Sequence, residues 1–246
     1  MPELLTRIGI RLSQSEFVRW LFRTLGSPRL LWNVWAATKQ GAMFAVLHTT
    51  DEEEFNRWGE DNAEWIRSFL RPNSRVLDVG CGIGRVEVYL APYCAELHGV
   101  DISDRMIRFA RERTRHLPNV RFHRANAVDL TLYPAESFDF VFSIIVLQHM
   151  EREDALSALF EMFRVLKSGG RGVLQFPNLL EPKHLQTYLE FGWRRRVQHP
   201  NRIRYYTRAE VEGILGGVGF VVEDWVRREL PCDLVPLVRK PEVQAS

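Results

Sequence analysis

The chain has 246 residues, of which 46% are hydrophobic and 26% charged, which is the composition of a globular protein rather than a disordered or low-complexity one. The formal net charge of +2 argues against a histone-like coat for nucleic acid. Three cysteines, with no C-x-x-C pair and no histidine at ligand spacing, predict neither a disulfide framework nor a metal site, and they favour a cytoplasmic location. No signal-peptide pattern opens the chain, and Lys39 interrupts its least polar early stretch, so we expect a soluble protein.

The charges are segregated into three blocks along the chain. Residues 1–50 carry six basic and two acidic side chains, residues 51–66 one basic and seven acidic, and residues 183–208 seven basic and one acidic. The last block could bind an anionic substrate, contact RNA or an anionic membrane surface, or pair internally with the acidic block. Its arginines are Arg194, Arg195, Arg196, Arg202, Arg204 and Arg208.

The first 73 residues predict a helical extension. Apolar side chains at helical spacing indicate a basic amphipathic helix over 4–25, a second helix over 30–47 and a third over 53–70. Asp51 or Thr50 is expected to cap the third helix, and Pro72 ends it. Residues 1–73 are therefore predicted to form an N-terminal helical cap region.

From Ser74 onward, strands and helices alternate, which predicts an α/β domain with a doubly wound, mostly parallel sheet over residues 74–246. A helix to about Leu90 follows the first strand, and Thr207 is expected to open a late helix with a capping box. Residues 177–206 break the alternation and are predicted to be an irregular insert. Two further helices are predicted, one from Ser103 to about His116 and one over 151–166, which residues 167–170 are expected to stop. The predicted strands are 75–79, 96–100, 120–125, 138–145, 172–176, 220–226 and 233–238.

A glycine-rich turn follows the first strand and predicts a ligand site at the carboxyl end of the sheet. Its pattern is Asp78-x-Gly80-x-Gly82-x-Gly84, and Asp101 ends the next strand, 21 residues beyond Gly80, the offset at which a carboxylate accepts ribose hydroxyls. The turn lacks the Lys-Ser/Thr of a phosphate-binding loop, and both registers of G-x-G-x-x-G fail at the third glycine. An NAD-binding oxidoreductase stays only as a minor alternative, because the acid before the turn suits a ligand with an ammonium group.

Five ordered motifs resemble those of the class I S-adenosylmethionine-dependent methyltransferases, most closely small bacterial type-11-like members. They are residues 78–84, 98–103, 126–130, 138–143 with 147–149, and 163–170. The resemblance implies a Rossmann-like seven-stranded sheet, S-adenosylmethionine as cofactor, S-adenosylhomocysteine as product, and no metal. The family often has Asp where this chain has Asn126. The cofactor-binding residues that it implies are Asp78, Gly80, Cys81, Gly82, Gly84, Asp101, Ile102, Met106, Asn126, Ala127, Val128 and Ser143. Cys81 is interpreted as a small buried filler rather than a nucleophile.

The implied reaction is in-line transfer of a methyl group to an O, N or C atom of a small-molecule acceptor. An anionic acceptor is one option. His149, after the fourth strand, is the candidate general base, and the alternative is that it caps the next helix or hydrogen-bonds locally. Trp58 or Phe55 of the cap region would suit a substrate cation, or else these residues pack in a helical layer. Tyr205, Tyr206 and His199 could face the substrate or be ordinary packing and surface residues.

Two other functional classes stay open at this point. An RNA or protein methyltransferase is disfavoured by the near-neutral charge and by Ser143-Ile144-Ile145-Val146, which replaces the Asn/Asp-Pro-Pro-Tyr/Phe motif. A catalytically silent cofactor-binding or membrane-associated scaffold would use the basic N-terminal helix. Nucleic acid is not the first-choice partner, membrane contact is not favoured, and the sequence leaves the oligomeric state open.

Overall fold

The computed structural model describes residues 27–193, 203–226 and 232–242. The predicted helix over 4–25 lies outside this part of the chain. The helices are α1 (Pro28–Trp35), α2 (Lys39–Leu47), α3 (Glu52–Arg67), α4 (Glu87–Leu90), α5 (Asp104–Arg113), α6 (Arg152–Val165), α7 (Pro182–Trp193) and α8 (Arg208–Val218), with short 3-10 turns at Ala91–Tyr93 and Leu147–His149. The strands are β1 (Arg75–Val79), β2 (Glu96–Asp101), β3 (Val120–Arg124), β4 (Phe138–Ser143), β5 (Leu166–Leu174), β6 (Phe176–Pro177), β7 (Val221–Trp225), β8 (Asp233–Leu234) and β9 (Pro236–Arg239).

The predicted α/β fold with a mostly parallel seven-stranded sheet is confirmed. The strand order is β3-β2-β1-β4-β5-β9-β7, while β6 and β8 form a separate antiparallel pair. The pairs β2–β3, β1–β4 and β4–β5 are parallel, and β9 runs antiparallel to both β5 and β7. Helices connect β1 to β2, β2 to β3 and β4 to β5, because parallel strands need a long crossover between them, whereas the segment from β3 to β4 contains no helix. Among the described helices, none combines the length and apolar character needed to cross a membrane.

The chain divides into two compact units, and the first contains the described residues up to Ser74 together with Gly80–Asn126. Its helix α3 begins where the Asp51 carboxylate accepts from the backbone N–H groups of Glu53 and Glu54, so the predicted Asp51 cap is confirmed. Three further N-cap side chains, Ser27, Thr38 and Ser103, start the neighbouring helices. Buried apolar side chains of this unit, which include Ala36, Met43, Phe55, Ile83 and Met106, form one core cluster.

The second unit contains β1 and the chain from Ala127 onward. Strand β4 is buried at five of its six positions, as predicted for a central strand of a parallel sheet. Thr207 opens α8 with the predicted capping box, in which its side chain accepts from the Glu210 N–H and the Glu210 carboxylate accepts from the Thr207 N–H. The helix ends at Gly219, whose φ of 111° is a conformation that only glycine adopts without strain.

Two predicted helices differ from the structure. The helix predicted over 30–47 is divided into α1 and α2, because Thr38 leaves the helical conformation and its hydroxyl accepts from the Gly41 N–H. The helix predicted after the glycine turn is a single turn, α4, followed by a 3-10 turn that contains Pro92. Proline removes the backbone donor that a longer α-helix would need there.

Three later predictions were also wrong. Residues 167–170 belong to β5 and do not form a loop after α6, since the chain enters the sheet at Leu166, opposite Phe138 of β4. The stretch 177–206 was predicted as irregular, yet it contains α7. The final predicted strand over 233–238 is two strands, β8 and β9, which belong to different sheets.

Candidate functional site

The glycine turn, residues 80–84 of the first unit, has a backbone that requires its glycines. Gly80, Gly82 and Gly84 have φ angles of 92°, 55° and 73°, all in the left-handed region. The N–H groups of Gly80 and Cys81 both donate to the carbonyl oxygen of Val100, at 2.8 and 3.0 Å. The turn is thereby held against the carboxyl end of β2, where the sequence predicts a ligand.

The Asp101 carboxylate lies beside this turn and binds it directly. One oxygen, Oδ2, accepts from the Gly82 N–H at 3.1 Å, and the other, Oδ1, accepts from the Ser103 N–H at 2.8 Å. Burial raises the pKa of Asp101 to about 6, although the two backbone hydrogen bonds oppose that shift. A carboxylate offers about four acceptor positions, so two are left on Asp101 for hydroxyl donors of a ligand.

The segment after β2 joins this carboxylate to the cap helices. The Ser103 hydroxyl accepts from the Met106 N–H and donates to Oδ1 of Asn33 in α1. The Arg105 N–H donates to the same Asn33 oxygen, and the Arg105 guanidinium donates to the Asn33 carbonyl. Asn33 was not predicted from the sequence, because a single asparagine in a helix carries no signal of a contact 70 residues away.

The predicted helical cap region packs against the glycine turn. A Cβ atom added to Gly82 would lie 3.5 Å from Cγ2 of Val46 in α2, and Ile83 belongs to the same core cluster as Phe55. The proposal that Phe55 is available to a substrate cation is wrong, since this side chain is fully buried. The guanidinium groups of Arg85 and Arg113 each lie 5.8 Å from the centre of its ring.

Four other predicted cofactor residues lie in the first unit, Cys81 in the glycine turn and the other three after strand β2. Cys81 is buried in a cluster with Ala110 and Phe122, which agrees with its interpretation as a filler. Met106 is buried and Ile102 half-buried. Asn126 is exposed and follows Ala125, whose N–H donates to the Asp101 carbonyl at 3.0 Å.

The remaining predicted site residues belong to the second unit. Asp78 is buried in β1, in register with Phe142 of β4. Ser143 is fully buried, and its hydroxyl donates to the Val79 carbonyl at 2.8 Å, so it ties β4 to β1. Its predicted contact with a cofactor stays a prediction. Ala127 and Val128 are half-buried.

His149 ends the 3-10 turn that follows β4 and is half-buried. Its Nε2 lies 3.2 Å from the amide nitrogen of Gln148. Gln148 is therefore a local partner of the ring, and the tautomer of the ring sets which of its nitrogens can accept. The N-cap of α6 is Glu151 and not His149, so the capping alternative is wrong, whereas the local hydrogen bond is observed.

The insert residues that the structure describes pair within their own unit. Arg204 donates its N–H to the Gln148 carbonyl at 2.9 Å, and its guanidinium binds the His149 carbonyl and the Glu151 carboxylate. Arg208 pairs with Glu212 at 2.9 Å. Tyr206 is buried against Phe176, and Tyr205 lies between His184 and Tyr188. Arg194, Arg195, Arg196, His199 and Arg202 lie outside the described residues.

Comparison with known proteins shows the family to which the chain belongs. Residues 76–170, from β1 into β5, match a family described as a methyltransferase domain. The uncharacterised methyltransferase YcgJ of Bacillus subtilis is 30% identical over 186 residues, which are 74% of this chain and 70% of that protein. The chain therefore belongs to the class I S-adenosylmethionine-dependent methyltransferases. It is an enzyme that takes its methyl group from S-adenosylmethionine and releases S-adenosylhomocysteine, and the NAD-binding and silent-scaffold alternatives are set aside.

Other relatives share parts of the chain. Phosphoethanolamine N-methyltransferase 1 of Arabidopsis thaliana is 39% identical over 115 residues, which are 46% of this chain and 23% of that protein. The structure of the PH0226 protein from Pyrococcus horikoshii has a TM-score of 0.62 at 26% identity and covers 78% of this chain and 92% of its own. The magnesium protoporphyrin IX methyltransferase of Synechocystis, solved with S-adenosylhomocysteine, has a TM-score of 0.63 at 19% identity, covers 91% of this chain and 98% of its own, and shows the shared fold.

Proposed function

We propose that this enzyme methylates the nitrogen of a small amine, that the glycine turn and Asp101 hold the cofactor, and that His149 acts as the general base. The observation that carries the cofactor half is the Asp101 carboxylate. It is bonded to the Gly82 and Ser103 N–H groups and has acceptor positions left for two hydroxyls. The cofactor supplies a methyl group already activated as a sulfonium.

The cofactor-binding residues have complementary chemistry. The Asp101 carboxylate suits the paired ribose hydroxyls, and the buried Asp78, two residues before the first glycine, suits the ammonium group of the amino-acid part. At its three left-handed glycines the backbone of the turn carries no side chain, so a ligand can approach it closely there. Asn126, Ala127 and Val128 are proposed to receive the adenine.

The acceptor half of the proposal is based on His149. A primary amine is protonated near neutral pH and must lose a proton before its lone pair can attack. In its neutral form, with the lone pair on Nε2, the His149 ring can take that proton once the acceptor displaces the Gln148 amide. In-line transfer otherwise needs only that the nucleophile be held about 3–3.5 Å from the methyl carbon, with water excluded.

The class of acceptor is proposed from the relatives and from the charge of the insert. Several relatives are named phosphoethanolamine N-methyltransferases, so a small amine with an anionic group is the acceptor class that we propose. The basic block over 183–208 is consistent with an anionic acceptor. We further propose that residues 1–73 act as a cap on the catalytic domain over 74–246, and that the enzyme acts in the cytoplasm.

The experiment is a transfer assay with methyl-labelled S-adenosylmethionine and three acceptors. Phosphoethanolamine carries both the amine and the phosphate, ethanolamine lacks the phosphate, and glycerol 1-phosphate replaces the amine by hydroxyls. We expect S-adenosylhomocysteine and an N-methylated product with phosphoethanolamine, less with ethanolamine and none with glycerol 1-phosphate. His149→Gln should reduce turnover by about 10²-fold or more while cofactor binding is retained. Methylation of the hydroxyl compound alone, or full turnover by His149→Gln, would refute the proposed acceptor or base.

A further inference from the structure

The loop between β4 and His149 contains a strained residue. Ile145 has a φ of 62°, in the left-handed region. For a β-branched side chain this conformation is a genuine outlier and persists only where the surroundings hold it. Two residues later the chain enters the 3-10 turn Leu147–His149, so the strained position lies directly before the segment that carries His149.

A buried glutamine holds this strained backbone. Oε1 of Gln175 accepts from the Ile145 N–H at 3.1 Å, and the backbone N–H of Gln175 donates to the Ser143 carbonyl, also at 3.1 Å. Gln175 directly follows β5 and is 8% exposed. A single residue just after β5 therefore bonds to both ends of the segment Ser143–Ile145.

The orientation of the Gln175 amide is fixed in turn by an acid. The amide nitrogen of Gln175 donates to Oδ2 of Asp233 in β8. Strand β8 is itself paired with β6, the strand that follows Gln175, with Pro177 opposite Asp233. Because the carboxylate can only accept, the amide must turn its nitrogen to Asp233 and its oxygen to Ile145.

We infer that Gln175, oriented by Asp233, is a positioning residue for methyl transfer, which holds Ile145 in the left-handed conformation and thereby places His149. This inference rests on the proposed role of His149. The downstream end of the segment is held separately, by Arg204 at the carbonyls of Gln148 and His149. Gln175 acts on this segment through the backbone of the segment, by the bonds to the Ser143 carbonyl and the Ile145 N–H.

The test exchanges the two polar groups. Gln175→Glu keeps the shape but sets a carboxylate against the Asp233 carboxylate. The swap Gln175→Glu with Asp233→Asn restores one donor and one acceptor, with the same total charge as the original pair. Gln40→Leu, at an exposed position of α2, is the control. Each full-length variant is compared by thermal unfolding, by hydrogen–deuterium exchange of residues 143–150, and by kcat and KM with phosphoethanolamine.

For Gln175→Glu we expect faster exchange over 143–150 and a kcat reduced by about 10-fold, with the KM for S-adenosylmethionine within about 2-fold of the original value. The swap should bring both exchange and kcat back to within about 3-fold. Exchange and kcat of Gln175→Glu that match the Gln40→Leu control would overturn the inference, and so would a folded swap variant that recovers neither. If the original enzyme makes no S-adenosylhomocysteine with phosphoethanolamine, the proposed acceptor fails, while the exchange data still decide whether Gln175 holds the segment.

Discussion

Lowering the pH should weaken cofactor binding through Asp101. Only the ionised carboxylate can accept from two ribose hydroxyls, and burial raises the pKa of this group from its ordinary 3.8 to about 6. At pH 7.5 nearly all of Asp101 is ionised. At pH 5 only about one molecule in eleven is, so the dissociation constant should rise about 10-fold, or about 1.4 kcal/mol of binding free energy.

The assay is isothermal titration of the ligand-free enzyme with S-adenosylhomocysteine between pH 5 and 8. Asp101→Asn is the matched variant, because it keeps the shape and removes both the charge and the titration. The variant should bind about 30- to 150-fold more weakly at pH 7.5, the equivalent of ~2–3 kcal/mol for lost charge-assisted hydrogen bonds. Its affinity should not vary between pH 5 and 7.5. An original enzyme with a flat profile over this range, or an Asp101→Asn variant of unchanged affinity, would refute the role given to this carboxylate.

Two further predictions concern the elements that support the site. Gly59→Ala should destabilise the fold by several kcal/mol, because the added Cβ would lie 2.5 Å from the backbone oxygen of Arg85. Gly213→Ala, at a helical position with open space around it, should stabilise the fold by ~0.5–1 kcal/mol. Equal unfolding midpoints for the two variants would contradict this prediction. Thr207→Ala should lower the free energy of unfolding, measured by chemical denaturation, by ~1 kcal/mol, because it removes the capping box with Glu210. Thr207→Ser should retain most of this stability. A serine variant as unstable as the alanine variant would argue against capping.

Much of the parallel sheet and its turn was predictable because local rules act there. The glycines of the turn have the left-handed φ angles that explain their presence, and Asp51, Ser103 and Thr207 cap the helices that they were predicted to open. Capping and turn chemistry depend on a few neighbouring residues, so sequence alone carries that information.

The errors arose where distant contacts decide the conformation. Residues 167–170 contain two glycines and were predicted to stop the helix ahead of a strand that begins at 172, yet pairing with β4 brings the chain into the sheet from Leu166. Phe55 was predicted to be available to a substrate cation, yet its ring lies near Arg85 and Arg113, which come from other parts of the chain. Gln175 had no sequence signal, because its role depends on Ile145, 30 residues earlier, and on Asp233, 58 residues later.

The most direct test of the whole account is a crystal structure of the enzyme with S-adenosylhomocysteine. Both ribose hydroxyls should lie about 2.5–3.0 Å from the Asp101 carboxylate oxygens, which keep their bonds to the Gly82 and Ser103 N–H groups. The sulfur of the product should point toward the segment that carries His149. A nucleoside bound away from Asp101, or a sulfur directed away from that segment, would contradict the roles proposed for Asp101 and His149.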